Sequence, residues 1–264
     1  MSLIPTMHTE QLVPVDSDHS VGLVETFHEA TKYFPGSYHE AVPDITAFLT
    51  NPTFIDRSLR GYNANPFFET IQLKGGGSSL PPMAEVFSQR RSVREFYKKP
   101  MGLETIGQIL HHAAGVTRTA RVDGQKKDAS FRSYPSGGGL FPVELYIVPL
   151  AVPELPPCVA HYLPRSHALE LVRRTIRPDE FSSALIRGPA IENAAFAVIL
   201  TGVLQRSLLK YGARGYRFAL LEAGHAGQNL CLAATASGFG SLLWDDESNS
   251  GLRAGHGSVI QRLR

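Results

Sequence analysis

The sequence predicts an α/β or α+β sandwich in which buried strands alternate with helices. Two short apolar runs, 145–150 and 194–204, are rich in β-branched or aromatic residues, as expected of strands that are buried on both faces. The stretch 210–241 contains few polar residues and is predicted to form one long buried helix. Buried strands that are separated by helices require a layered architecture with helices covering the sheet.

The long helix is predicted to be central to the fold or shared between subunits. Alanine and glycine recur along it, so other backbones can approach it closely on several sides. Arg217 and Glu222 lie inside this window and argue against a membrane span. Gly238 and Gly240 are expected to end the helix.

Residues 1–73 are predicted to form an extension to the main domain. A short amphipathic helix is expected at 21–34, and an irregular segment at 38–73, where prolines separate short aromatic runs. The Gly- and Ser-rich segment 74–82 is the clearest linker. It leaves 83–264 as the main domain.

Periodicity, proline and glycine define the order of elements in the main domain. The predicted elements are a short helix from residue 83, a helix around 103–110, a polar loop at 117–130, the first buried strand at 145–150, a proline-rich loop at 151–165, a helix at 167–176 and the second buried strand at 194–204. This order places helices between the buried strands.

Composition argues against several classes of function. The formal net charge is +2 and the basic residues are scattered, so a nucleic-acid-binding surface is not expected. Cys158 and Cys231 lack the spacing of a zinc site, so no metal is expected, and they favour a reduced cytoplasmic compartment. The N-terminus has no export signal, and no membrane association is expected.

Two turns have the composition of anion-binding sites. The first contains Arg90, Arg91, Ser92 and Arg94, whose guanidinium groups and hydroxyl can converge on one phosphate. The second follows Arg132 and contains Pro135, Ser136, Gly137, Gly138 and Gly139. Its missing side chains expose backbone N–H groups to a phosphate or a planar ligand. A solvated basic loop and an ordinary glycine turn are the alternatives.

Lys210 and Tyr211 are the candidate catalytic pair. A lysine at the edge of an apolar pocket loses solvation of its ammonium group, which makes it a proton acceptor closer to neutral pH. The neighbouring phenol can hydrogen-bond the same substrate. Consecutive residues do not share a face of a helix or a strand, so both serve one site only in a turn or on two sides of a ligand. The alternative is a pair of solvated residues at a helix start.

A resemblance to a known family rests on several motifs that occur in the same order. They are FHEATKYF, RRSVREF, PSGGGLFPVELYIV, AHYLPRSHALE and LKYGARGYRFALLEAGHAGQNLCLAATASGFGS. Together they resemble the SagB-type, nitroreductase-like flavoproteins, which are FMN-dependent dehydrogenases that oxidise azolines to azoles in modified peptides. The resemblance implies an α+β nitroreductase-like fold with a central mixed sheet flanked by helices. It also implies a homodimer with FMN bound between the subunits.

The resemblance assigns roles residue by residue. Arg90, Arg91, Ser92 and Arg94 match the first FMN loop, which contacts the phosphate, the ribityl chain and the pyrimidine edge. Pro135, Ser136, Gly137 and Gly139 match the second loop, contributed by the other subunit against the isoalloxazine, and Arg132 and Gly138 are predicted to belong to it. Gly240, Ser241, Leu242 and Leu243 match the segment that passes over the flavin. Lys210 and Tyr211 match the catalytic pair of the azoline oxidases. The family's C-terminal strand is either reduced to the stub 259–264 or missing.

These observations lead to three hypotheses. The first is an FMN-dependent dehydrogenase that oxidises thiazoline or oxazoline rings of a peptide with dioxygen as acceptor, in company with a cyclodehydratase. The second is a general NAD(P)H-dependent nitro or quinone reductase. The third is a flavin-poor scaffold subunit of a peptide-modifying complex. In the first hypothesis, residues 1–73 help to form the dimer or guide the peptide.

Overall fold

The structure is a computed structural model that describes residues 18–32, 38–75, 80–122, 128–183, 193–246 and 255–262. Its strands are β1 (Thr70–Gln72), β2 (Val116–Ala120), β3 (Ala129–Arg132), β4 (Val143–Pro149), β5 (Val159–Leu163), β6 (Ala168–Arg173), β7 (Phe196–Gly202), β8 (Phe239–Asp246) and β9 (Gly255–Arg262). Its helices are α1 (Asp18–Ala30), α2 (Tyr38–Thr50), α3 (Pro52–Arg60), α4 (Met83–Gln89), α5 (Leu103–Ala114), α6 (Pro178–Ser183), α7 (Gln205–Tyr211) and α8 (Arg214–Ala236).

The main sheet has seven strands in the order β1-β6-β5-β4-β7-β9-β8, and β2 pairs with β3 separately. Neighbouring strands of the main sheet run antiparallel. The expectation of a mixed sheet is therefore wrong for the described strands, where the parallel pairing is an isolated bridge between Ser92 and Ser241. The expected α+β architecture of a sheet flanked by helices is confirmed.

The two predicted buried strands are confirmed as β4 and β7, which lie side by side in the middle of the sheet. One face of this pair packs against α5 and α8, in a core that includes Ile106, Leu145 and Leu230. The opposite face is covered by residues such as Phe96 and Phe181. Each large apolar side chain removed from water contributes about 1.5–3 kcal/mol. Burial on both faces explains why these strands show apolar runs rather than alternation.

The predicted helix at 167–176 is wrong, because this stretch contains β6. Its sequence ALELVR is too short to show a helical period, and it pairs with β1 on one side and β5 on the other. Glu170 is buried in this strand, where its carboxylate accepts a hydrogen bond from the Asn65 N–H at 2.6 Å. A buried carboxylate needs such a partner, and the partner comes from a distant segment.

The prediction of an irregular segment at 38–73 is also wrong, because it holds α2, α3 and β1. Pro43 lies inside α2, and Pro52 occupies the first turn of α3, where a missing N–H costs nothing. The Asn51 side chain caps α3 by accepting hydrogen bonds from the N–H groups of Thr53 and Phe54. Gly61, with φ of 60°, ends the helix in the left-handed conformation. Asn51, Pro52 and Gly61 therefore mark the two ends of a helix and do not interrupt one.

Two predicted loops contain strands. The polar segment 117–130 contributes to β2 and β3, and the proline-rich segment 151–165 contains β5. Lys- and Pro-rich flanks concealed these short strands, whose pairing partners supply most of their stability. Among the described residues, no helix is both long and apolar enough to cross a membrane.

The predicted N-terminal extension lies against the main domain at several points. β1 joins the main sheet through β6, and Arg214 and Arg217 of α8 donate hydrogen bonds to Thr31 after α1. Phe27 of α1 also makes an edge contact with Tyr216, with ring centroids 5.6 Å apart. The division into 1–73, 74–82 and 83–264 stays a prediction, and part of its linker, 76–79, lies outside the described residues.

A buried polar cluster ties the segment after α3 to the sheet and to α7. Glu144 of β4 accepts a hydrogen bond from the Asn63 N–H at 2.8 Å and forms an ion pair with Arg206 of α7. His161 Nε2 lies 2.8 Å from Glu144, and His161 Nδ1 lies 3.5 Å from Glu170. This cluster fixes the start of the helix that carries Lys210.

Candidate active site

Lys210 and Tyr211 end α7, and a sharp break separates them from the long helix. Gly212, with φ of 54°, terminates α7, and α8 begins at Arg214. The predicted single helix 210–241 is therefore two helices, and its predicted end is confirmed by Gly238, with φ of 79°. Gly215 lets the two helices touch, since a Cβ there would lie 2.6 Å from the backbone of Ser207.

The glycine turn lies directly against this pair. Gly137–Gly139 form a short 3-10 turn, in which Gly138 and Gly139 have positive φ. A Cβ on Gly138 would lie 2.4 Å from Tyr211 Oη and 2.9 Å from Lys210 Nζ. A residue with a side chain could not occupy this position without displacing both groups. The structure thus brings together the glycine turn and the Lys210–Tyr211 pair, which lie far apart in the sequence.

Lys210 is held among aromatic rings. Its Nζ lies 5.4 Å from the ring centroid of Phe48 in α2 and 5.3 Å from that of Tyr211. Burial lowers the pKa of the Lys210 ammonium. In the described part of the chain no carboxylate lies within ion-pairing distance of Lys210, so no such charge opposes this effect. Lys210 is therefore suited to accept a proton.

A cavity of about 280 Å³ opens beside Lys210, and we name it the inner cavity. Its walls include Gly138, Gly139 and Lys210 from the predicted site, and Phe48 and Leu59 from the N-terminal helices. Sequence reasoning missed the role of α2 and α3, because nothing local in their sequence indicates that they meet Lys210.

The basic turn lies against the start of β8. Ser92 bridges to Ser241, and the Val93 N–H donates a hydrogen bond to the Ser241 carbonyl at 2.9 Å. The side chains of Arg91 and Arg94 are exposed. Ser241 Oγ is buried and has no hydrogen-bond partner among the described residues. The structure therefore joins the first predicted FMN loop to the predicted segment 240–243.

Arg132 has a different position from the one expected of a ligand-binding residue. Its guanidinium donates hydrogen bonds to Tyr134 Oη at 2.6 Å, to the Val143 carbonyl at 3.1 Å and to the Gly61 carbonyl. It is also nearly buried over the Phe141 ring. These contacts give Arg132 a structural role, in which it joins the strand before the glycine turn to the end of α3.

Two clusters contact α8 at different points along its axis. One is the glycine turn with Lys210 and Tyr211, and the other is the basic turn with β8. Phe218 packs against Gly137 of the glycine turn, whereas Gly227 packs against Leu243 of β8. These two positions are roughly 13 Å apart along the helix axis at the rise of an α-helix. The two clusters are therefore separate patches within one protomer, and we name them the two half-sites.

Glu222 of α8 is a buried acid beside the glycine turn, and it is not among the predicted site residues. Its Oε1 accepts a hydrogen bond from the Val143 N–H at 3.2 Å, and its Oε2 has no partner among the described residues. Burial raises its pKa to about 7, and the nearby Ser136 hydroxyl and Val143 N–H oppose only part of that effect.

The raised pKa predicts that stability falls as pH rises. The folded state binds a proton at Glu222 between the unfolded pKa of about 4.3 and about 7, so the free energy of unfolding decreases across this window by ~3 kcal/mol. Glu222→Gln stays neutral and should flatten this dependence. Urea unfolding at pH 5 and pH 8 measures it, with the exposed Glu104→Gln as the matched control. An unchanged slope in Glu222→Gln would show that Glu222 is ionised throughout.

Comparison with known proteins identifies the family. The model of the nitroreductase family matches residues 87–245. The chain belongs to the nitroreductase family. The match spans α5, α8 and the central strands, and both half-sites lie within it.

Two named relatives match with comparable identity. The protein MJ1384 of Methanocaldococcus jannaschii, named as a nitroreductase, is 30% identical over 61% of this chain and 76% of its own length. The microcin B17-processing protein McbC of Escherichia coli is 34% identical over 58% of this chain and 55% of its own length. The match with McbC thus spans about half of that protein.

A solved structure extends the likeness over nearly the whole chain. The E. coli microcin synthetase McbBCD complex with truncated pro-MccB17 bound contains a chain that is 25% identical, with a TM-score of 0.55. The match covers 94% of this chain and 100% of that chain. The family match and the matches to McbC and the McbBCD complex confirm the predicted resemblance to nitroreductase-like, peptide-processing proteins.

Proposed function

We propose that the protein is an FMN-dependent dehydrogenase that oxidises thiazoline or oxazoline rings of a modified peptide to thiazoles or oxazoles. The observation that carries the proposal is the position of Lys210 and Tyr211 directly against the backbone of Gly138. An ammonium group that has no carboxylate partner among the described residues, and that lies beside aromatic rings and a cavity, has the environment of a general base. The similarity to the microcin B17-processing protein McbC supports a peptide substrate.

The residues of the two half-sites fit FMN. Arg90, Arg91 and Arg94 offer guanidinium groups to a phosphate, and the buried Ser241 Oγ is a polar atom that needs a partner. Gly138 and Gly139 have positive φ and line the inner cavity, so the turn presents backbone rather than side chains to a planar ring there. When bound, FMN would supply the acceptor for the two electrons of the oxidation.

A homodimer would close the two half-sites. The described surface of α8 exposes Tyr216, Leu220 and Leu221, and the neighbouring α4 exposes Met83 and Phe87. Adjoining apolar side chains of this kind are typical of protein interfaces. We propose that a second copy packs on α8 and α4, so that the basic turn of one protomer meets the glycine turn of its partner.

Lys210 and Tyr211 would perform the acid–base part of the reaction. Aromatisation removes two hydrogens from the ring. Cα loses one as a proton, and Cβ loses the other as a hydride. Lys210 Nζ would accept the Cα proton, and Tyr211 Oη would orient the ring by a hydrogen bond. Phe48 would exclude water from Lys210, so that its amine is available as a base near neutral pH. Dioxygen is the proposed final acceptor.

The proposed partners follow from the same relatives. The McbBCD complex holds a truncated pro-MccB17, which supports a peptide substrate and assembly with further subunits for this chain. A cyclodehydratase that forms the azoline rings is the proposed partner enzyme. The free, buried thiols of Cys158 and Cys231 support the proposed cytoplasmic location, where thiols stay reduced.

Purified protein tests the proposal directly. We expect flavin absorption bands after reconstitution with FMN, and a mass loss of two hydrogens per ring when an azoline peptide is incubated in air. The matched control is the fully cyclised peptide already oxidised to azoles, whose mass should not change. A flavin-loaded protein that leaves azoline rings intact, with and without a cyclodehydratase, would contradict the proposal.

A general NAD(P)H-dependent nitro or quinone reductase is the second candidate, favoured by the similarity to MJ1384. It predicts rapid bleaching of the flavin by NADPH under anaerobic conditions. It also predicts that Lys210→Ala keeps this activity, since that reaction needs no base at Lys210.

A further inference from the structure

A second cavity lies beside the inner cavity. Its volume is about 320 Å³, and we name it the outer cavity. It is lined by residues that include Phe54, Tyr62, Asn63, Arg206 and Leu209. Phe48 and Ser58 line both cavities, so the two adjoin at these side chains.

The lining of the outer cavity combines apolar walls with polar groups. Phe54, Tyr62 and Leu209 present rings and an aliphatic side chain, and Asn63 presents an amide. Arg206 is already ion-paired with Glu144, which leaves the wall without an excess charge at this point. Apolar walls with a few hydrogen-bonding groups suit an uncharged peptide segment, whose side chains and backbone need both kinds of contact.

The spacing of the two cavities matches an extended peptide. Arg206 and Lys210 are four residues apart on α7, so they lie on one face about 6 Å apart along the helix. An extended chain advances about 3.3 Å per residue. With a ring at Lys210, the residue about two positions away would reach the outer cavity.

We propose that the outer cavity binds the peptide segment that flanks the ring undergoing oxidation, about two residues from it. The proposal rests on the proposed function, because that function places the ring beside Lys210. The N-terminal helices α2 and α3 would then contribute to substrate choice, since they supply Phe48, Phe54 and Ser58.

A cavity-filling variant tests the proposal with a matched substrate pair. One substrate is a capped azoline without flanking residues, and the other carries two uncharged residues on each side. The wild type should show about a tenfold higher kcat/KM for the extended substrate, the effect of burying one further side chain. Leu209→Trp should bring this ratio close to one. Val172→Trp, at an equally exposed apolar position that lines neither cavity, should keep the wild-type ratio.

The outcomes separate this inference from the proposed function. The ratio to compare is kcat/KM for the extended substrate divided by kcat/KM for the capped substrate. If this ratio is the same in the wild type and in Leu209→Trp, the outer cavity is not a peptide site. Oxidation of neither substrate by the FMN-loaded wild type overturns the proposed function instead. In that case, binding of the extended peptide without its azoline ring, measured by calorimetry, tests whether the outer cavity binds a peptide. Binding that Leu209→Trp weakens about tenfold supports the cavity, whereas absent or unchanged binding overturns it.

Discussion

Lys210→Ala is expected to retain FMN and to lose azoline oxidation by about 10²–10⁴-fold in kcat, the usual contribution of a general base. The side chain ends at Nζ beside Gly138 and the Phe48 ring, and the backbone contacts that join Ser241 to the basic turn do not involve it. Single-turnover oxidation of an azoline peptide, followed by mass, measures the loss. Equal flavin absorbance in wild type and variant shows that the fold and cofactor site are intact.

Lys210→Arg is the matched control, because it keeps a positive charge but cannot act as a base near neutral pH. It should be as inactive as Lys210→Ala. In the wild type, kcat/KM should rise with pH through the lowered pKa of Lys210, below the range in which an exposed lysine loses its proton. Near wild-type turnover in either variant would remove Lys210 from the mechanism.

The sequence predicted those parts of the fold that depend on local burial. The runs that became β4 and β7 are apolar because both faces are covered, and that signal is present in the run itself. β6 could not be predicted in the same way. Its Glu170 is buried only because Asn65 and His161, from other segments, supply its partners.

The candidate site could be predicted only in part, because some of its contacts depend on how distant segments pack. The glycine turn and the Lys210–Tyr211 pair stand out by composition and by the family resemblance, and the structure places them in contact. The ring of Phe48 over Lys210 was not predicted, because it depends on how α2 docks on α7. Prolines in α2 and α3 indicated breaks, although Pro52 in fact starts a helix capped by Asn51. The position of Arg132 in the core depends likewise on distant carbonyls.

The buried cluster around Glu144 predicts the largest effect on stability. Glu144 is nearly inaccessible to solvent, and it faces Arg206, His161 and the Asn63 N–H. Burial alone would raise the pKa of Glu144, but the hydrogen bond with His161 and the charge of Arg206 lower it overall. The carboxylate is therefore ionised in the folded state, and its partners depend on that charge. The stability that it supplies is lost as pH falls through its lowered pKa.

Glu144→Gln keeps the size of this side chain and removes its charge, so Arg206, whose side chain is 12% exposed, is left without its counter-ion. Breaking one partner of a buried pair costs about 3–5 kcal/mol. The exposed pair of Arg173 and Glu180, with 2.7 Å between its charged atoms, is the matched control, and Glu180→Gln should leave the free energy of unfolding nearly unchanged because solvent screens this pair. Urea unfolding of both variants at neutral pH measures the difference. Equal, small losses would show that solvent screens the Glu144 cluster despite its burial, and that α7 is not anchored through Arg206.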